Sequence, residues 1–324
     1  MSKRSELLRE IHLENPQNGF YQIDRDLYQV AEAVSASSLR LASQSLADYL
    51  HHQSRPQSLN RGQNLGGAFH LKLLEPQEFG KRVFLAPEES KVSNKGKIAW
   101  IEFYLRKVRV ILKNEVVDFG EMKADELRLH LKEMEKIAQK EGKIILSNEE
   151  FQTLEKMTQS AMNHPLIKGL LKGGQRELSV FWKDPKGQFT LKCRPDYLDL
   201  ENLRVIDIKT TRDPSPRGFS REILNYRYHV TAALLIDGVG SVSRSNKQEF
   251  YFMAVGNQEP YITEIYRLSP EAINEGRLQY QKALEKLSQF FKHYDIYPGY
   301  TDGGVCELTL PDWALSPGEQ QEAP

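Results

Sequence analysis

The chain has 324 residues, 40% of them hydrophobic and 27% charged, with 44 Lys/Arg balanced by 44 Asp/Glu. This is enough apolar material for a sizeable core, and the zero net charge weighs mildly against a nucleic-acid partner. No window approaches the roughly 20 apolar residues needed to span a bilayer, and Met1–Gln17 lacks an apolar signal core. A cytoplasmic protein without a membrane partner is expected. Cys193 and Cys306 form neither a disulfide framework nor a metal-ligand spacing, which suits a reducing compartment. Between Arg204 and Lys247 eight basic residues face four acidic ones, so one local face is expected to be positive.

Residues 1–60 read as short helical pieces. Ser37 or Ser38 is expected to cap a helix through Leu39, Leu41, Leu46 and Leu50. A second helix is predicted from about Gly66–Gly67, carrying His70, Leu71, Leu73 and Leu74 until Pro76 stops it. In the charged stretch 98–140, Asp125–Gln139 places Leu127, Leu131, Met134 and Ile137 near one helical face. Ser147 with Glu150 forms a capping box for a helix reaching His164 and ending at Pro165.

A β region follows. Glu177–Trp182 is rich in Val, Phe and Trp and reads as a strand. Lys186-Gly187 is a turn signal, and Phe189–Pro195 is the return strand of a hairpin. Leu203–Thr210 is predicted as a third strand, apolar on both faces as in a sheet interior. Phe219–Val239 reads as a helix, Glu249–Val255 and Tyr261–Leu268 as strands, and Pro270–Tyr294 as a long amphipathic helix. The fold class is α/β: a central mixed sheet flanked by helices, with a helical N-terminal third. Residues 1–60 are expected to pack on a core of 61–315, as one continuous domain, ahead of a polar tail, Ser316–Pro324.

Three carboxylates and a lysine fall on the three consecutive predicted strands: Glu177, Asp196 after Pro195, Asp207 and Lys209. Period-2 geometry puts Asp207 and Lys209 on one face. Charges in so apolar a strand need partners. A hard cation such as Mg²⁺ wants oxygen ligands, which Glu177, Asp196, Asp207 and the Ile208 carbonyl would supply. Such an ion acidifies a bound water and neutralises charge on a phosphate, and its charge would depress the Lys209 pKa enough for that side chain to serve as a base. The spacing alone is weak, since Glu89-Ser90-Lys91, Glu121-Met122-Lys123, Glu141-Gly142-Lys143 and Asp184-Pro185-Lys186 repeat the same triplet. A buried salt-bridge network is the competing reading.

Glu177–Trp182, Cys193-Arg194-Pro195-Asp196 and Asp207-Ile208-Lys209-Thr210-Thr211 together resemble the PD-(D/E)xK nuclease core. The chain is most similar to the nuclease domain of bacterial and prophage exodeoxyribonuclease VIII of the RecE type, related to RecB nuclease domains. Further matching segments are Val34–Leu50, Gly67–Pro76, Asn225–Val230, Tyr297–Tyr300 and Leu310–Ala314. The resemblance implies Mg²⁺-dependent degradation of double-stranded DNA from its ends, 5′→3′, in recombination and repair, with Mn²⁺ able to substitute. It also implies a ring-shaped homo-oligomer, a tetramer in the RecE type, working with a single-strand annealing protein. Glu177, Asp196 and Asp207 would be metal carboxylates, Lys209 the catalytic lysine, and His70 a further metal ligand, for which its imidazole must be neutral. Arg227, Tyr228 and Thr231 would contact DNA. The family has a glutamine in a Tyr-x-x-Gln pattern; here Thr231 stands in that place and is too short to reach as far. His229 is expected to be structural.

Two other readings stay open: a single-strand or structure-specific nuclease of the same superfamily, and a non-catalytic DNA-end-binding protein on the same fold. An iron–sulfur nuclease would need four cysteines, and a zinc hydrolase would show HExxH-type spacing; the chain has neither.

Overall fold

The structure, a computed structural model, describes residues 14–53, 61–110, 119–293, 299–301 and 304–309. Residues 1–13, Tyr297 and Pro298, Leu310–Ala314 and the tail Ser316–Pro324 lie outside the described residues. The strands are β1 Gly19–Tyr21, β2 Val34–Ser35, β3 Val83–Leu85, β4 Ile144–Leu146, β5 Gln175–Arg176, β6 Ser179–Lys183, β7 Thr190–Cys193, β8 Tyr197–Asp199, β9 Arg204–Thr211, β10 Glu249–Gly256 and β11 Thr263–Tyr266. The helices are α1 Arg25–Val30, α2 Ala36–Ala42, α3 Leu46–Gln53, α4 Arg61–Leu74, α5 Pro76–Arg82, α6 Asn94–Phe103, α7 Ala124–Lys140, α8 Asn148–Asn163, α9 Ile167–Leu170, α10 Pro216–Asn225, α11 Tyr228–Ser243 and α12 Pro270–His293.

A five-stranded sheet runs β11-β10-β9-β8-β5. Its centre is β9, parallel to β10 from Arg204↔Glu249 to Thr211↔Gly256 and antiparallel to β8. Parallel neighbours need a long crossover, and α10 with α11 provides it. Val205 joins a core with α10, α11 and α12, whereas Ile206 and Ile208 join one with α4 and α8. Helices therefore cover both faces, which is why β9 is apolar on both sides. A second sheet, β1-β6-β7-β2, is built on the β6–β7 hairpin, whose turn places Gly187 at φ 67. The N-terminal segment is not only helical: β1 pairs with β6, and β2 with β7.

Local signals placed most helices correctly and several ends wrongly. The capping box of α8 is present, Ser147 Oγ accepting from the Glu150 amide and Glu150 from the Ser147 amide. The N-cap of α2 is Ser35, not Ser37 or Ser38; its Oγ accepts the Ser38 amide at 3.0 Å. The expected single helix through Leu50 is two, because Ser45 Oγ takes the Asp48 amide and starts α3. Pro76 ends α4 and also opens α5 at its first turn, where a missing N–H costs nothing. Phe219–Val239 likewise splits into α10 and α11 at Arg227, which adopts φ 52. Helix α7 buries Leu127, Leu131, Met134 and Ala138, with Ile137 only partly covered. It packs on Trp100 and Ile101 of α6 and on Tyr104 just beyond its end, as a small lobe between β3 and β4.

Candidate functional site

Two breaks in one ribbon create the site. Residues β5 and β8 pair in the large sheet, then both chains leave it, and β6 and β7 pair in the second sheet. The break on one side is Glu177, left-handed at φ 52; on the other it is Pro195-Asp196. A residue at positive φ cannot continue a ladder, and proline offers it no donor. Neither Glu177 nor Asp196 lies in a strand, contrary to the sequence expectation, and the two are tied by Glu177 N–H donating to the Asp196 carbonyl at 3.1 Å.

Because β8 pairs with β9 only as far as Ile206, the Ile208 amide and carbonyl have no ladder partner on that side. Buried backbone groups must be satisfied. Asp196 Oδ2 accepts the Ile208 amide at 2.5 Å, and His70 Nε2 lies 3.1 Å from the Ile208 carbonyl oxygen. His70 comes from α4, which approaches β9 closely at Gly66, where a Cβ would sit 3.1 Å from Thr210 Oγ1. One turn later its Nδ1 lies 3.3 Å from Asp196 Oδ1.

His70, Glu177 and Asp196 each present a ligand atom, all within 4.8 Å of one another. Two carboxylates, an imidazole and the adjacent Ile208 carbonyl form an oxygen-rich donor set that fits a hard divalent cation such as Mg²⁺ or Mn²⁺. Asp207 is not drawn into this group. It shares the face of Lys209, as the alternation predicts, and its Oδ2 lies 2.5 Å from Lys209 Nζ. Arg194 Nε reaches Glu177 Oε2 at 2.8 Å.

The protonation equilibria follow from this crowding. Burial, with Asp196 beside it, pushes the Glu177 carboxyl up to about 7. Burial also raises Asp207, Asp196 adding to the effect and Lys209 opposing it. For Asp196, burial is outweighed by His70 and Lys209, and the carboxyl is held low. His70 is raised because Asp196 outweighs the burial penalty on its charge. Lys209 is raised in the same way by Asp207 and Asp196. The two carboxylates set the sign of that shift.

These groups open onto a cleft of about 3120 Å³, lined also by Tyr228, Thr231, Tyr226 and Arg40. Asp207 is not among its lining residues. Nor is Arg227, whose guanidinium is directed to Gln279 Oε1 at 2.9 Å and Ser43 Oγ at 3.4 Å. His229 is buried between the Ile223 carbonyl and Gln279, a structural position. Sequence reasoning assigned no role to Arg40, Arg194 or Tyr226, although each lies in a segment that carries the resemblance; the packing brings them to the cleft.

Residues 35–309 match the model of a family described as "PDDEXK-like domain of unknown function (DUF3799)". The chain belongs to this family. The PD-(D/E)xK resemblance carried by Glu177, Asp196, Asp207 and Lys209 thus holds at the level of the superfamily. The PDDEXK-like chain is similar to the crystal structure of a provisionally named exonuclease from Eubacterium rectale, at 11% identity and TM-score 0.53, over 92% of this chain and 99% of the other. At that identity the likeness is one of fold. A phage-related exonuclease from Haemophilus somnus 129PT aligns with 83% of this chain and 100% of its own, at 11% identity and TM-score 0.30. No curated protein matches the sequence. Among the described residues no helix is long and apolar enough to cross a membrane.

Proposed function

We propose that this PDDEXK-like protein is a metal-dependent deoxyribonuclease that hydrolyses double-stranded DNA from its ends, 5′→3′, with Mg²⁺ as the working ion and Mn²⁺ able to replace it. The observation that carries the reading is the convergence of His70, Glu177 and Asp196 beside the Asp207–Lys209 pair, on the wall of an open cleft. A bound divalent ion would activate water and neutralise charge on the phosphate. The chain's own groups do the rest. Asp196 and His70 hold the Ile208 backbone in place, and Asp207 fixes the Lys209 ammonium where it can stabilise charge building on a phosphate oxygen.

Charge supports a polyanionic substrate. The cleft is lined by nine Lys/Arg and nine Asp/Glu, so a divalent ion on the cluster would leave it net positive. The name of the similar Eubacterium rectale exonuclease points the same way. The same proposal includes a cytoplasmic role in DNA recombination, a ring-shaped homo-oligomer and delivery of single strands to an annealing protein.

The test is digestion of linear duplex labelled at either the 5′ or the 3′ end, with and without Mg²⁺, beside covalently closed circles. Metal-dependent loss of label in an order set by polarity, with circles resistant, is expected. Rapid nicking of circles would move the assignment to an endonuclease. Binding to ends without cleavage in any divalent metal would move it to an end-binding protein.

A further inference from the structure

Tyr226, at the end of α10, is 51% exposed and lines the cleft. One face of its ring is covered by Tyr228, with centroids 5.5 Å apart and planes 29° from parallel. Among the described residues no other ring packs on Tyr226. Tyr228 in turn carries Lys209 Nζ at 5.2 Å from its centroid. A single exposed aromatic is ordinary. Here it ends a stack that begins at the lysine of the reaction centre.

A second observation points to a ligand at the same place. Arg40, in the last turn of α2, lines the cleft and donates from Nη1 to the Tyr226 carbonyl at 2.9 Å. Among the described residues no carboxylate lies within ion-pair distance of it. That hydrogen bond engages one of five N–H donors. A half-buried guanidinium without a counter-charge is costly, and its planar fork matches a phosphate. The Tyr226 carbonyl holds it beside the ring.

We propose that Tyr226, Tyr228 and Arg40 form a nucleotide subsite next to Lys209, with a base of the cleaved strand stacked on Tyr226 and a neighbouring phosphate on Arg40. The subsite rests on the nuclease reading for its place in the reaction, but not for its existence. Every base has a π-face, so it accepts bases without sequence preference.

The probe is a short single-stranded oligonucleotide bound with metal chelated, and cleaved with Mg²⁺ in parallel. Tyr226→Ala should weaken binding roughly 5- to 150-fold, the range for losing one stacked base, whereas Tyr226→Phe and Tyr226→Trp should bind like the parent. An abasic site at one position should cost the parent the same factor and cost Tyr226→Ala nothing further. Arg40→Gln should lower the salt slope by about 0.7, one single-strand phosphate, while Arg40→Lys keeps it. Wild-type affinity in Tyr226→Ala, or abasic losses that add to the substitution, would overturn the stacking role. An unchanged salt slope in Arg40→Gln would overturn the phosphate role. Tyr226-dependent binding without cleavage would sink the nuclease reading and leave the subsite standing; cleavage with Tyr226-independent binding would do the reverse.

Discussion

Replacing Asp196 by Asn separates a metal centre from a buried salt-bridge network. Asn keeps the shape and one oxygen for the Ile208 amide, which Asp196 now holds at 2.5 Å. Turning that charge-assisted bond into a neutral one costs about 1 kcal/mol. Against this stands the repulsion between Asp196 and Glu177, whose ligand atoms lie within 4.8 Å. At an effective dielectric near 20, two unit charges at that separation repel by about 3.5 kcal/mol. Glu177, pushed up to about 7, carries only part of its charge at neutral pH, so about half of that is relieved. Asn also forfeits the attraction to His70, whose Nδ1 lies 3.3 Å from Asp196 Oδ1, so Asp196→Asn should melt a few degrees below the parent in EDTA. Metal affinity should fall by at least about 100-fold, the upper end of what even indirect ligand changes cost. Cleavage should be nearly abolished, and the melting shift on adding Mg²⁺ or Mn²⁺ should vanish. The assays are thermal melting with and without metal, metal titration, and turnover at saturating Mg²⁺. A fall of about 8 °C or more in EDTA would mean that the carboxylate is structural, since 1 kcal/mol moves a domain of this size by only about 2–4 °C. Near wild-type turnover would equally refute the assignment.

Lys209→Ala should slow single-turnover cleavage by on the order of 100-fold or more while metal titration changes little; a defect confined to metal affinity would contradict its role. Metal affinity should climb as pH rises through neutrality, because His70, raised, and Glu177, at about 7, must both shed protons to ligate. Calorimetry in buffers of different ionisation enthalpy would detect the released protons, and a pH-independent affinity between about 6 and 8 would contradict this. Gly276→Ala should destabilise by about 1–3 kcal/mol, since its Cβ would lie 2.2 Å from the His229 carbonyl oxygen in the first turn of α11; chemical denaturation would show it, and parental stability would mean that α12 can slide away. Thr231→Gln should leave the melting temperature unchanged and lengthen the tract degraded per binding event, measured with a trap DNA, because its longer amide reaches further into the cleft. Unchanged tract length and affinity would remove position 231 from the substrate path.

What the chain encodes locally could be read from it directly. The shared face of Asp207 and Lys209 follows from a two-residue period, and the Ser147–Glu150 cap from hydrogen bonds spanning three residues. The alternation of β9 toward two cores announced a central strand before any neighbour was known. The ligand set was another matter. His70 meets Ile208 across 138 residues only because α4 packs on the Ile206 and Ile208 face. Glu177 and Asp196 converge because a ribbon breaks between two sheets, at a positive φ that glutamate residues rarely adopt. The split at Arg227 turned that side chain toward Gln279 and away from the cleft, while Arg40 and Tyr226, 186 residues apart, were joined at its wall. Spacing within an element is set by backbone period, whereas which elements touch depends on apolar faces far apart in the chain finding each other, and only tertiary packing decides that.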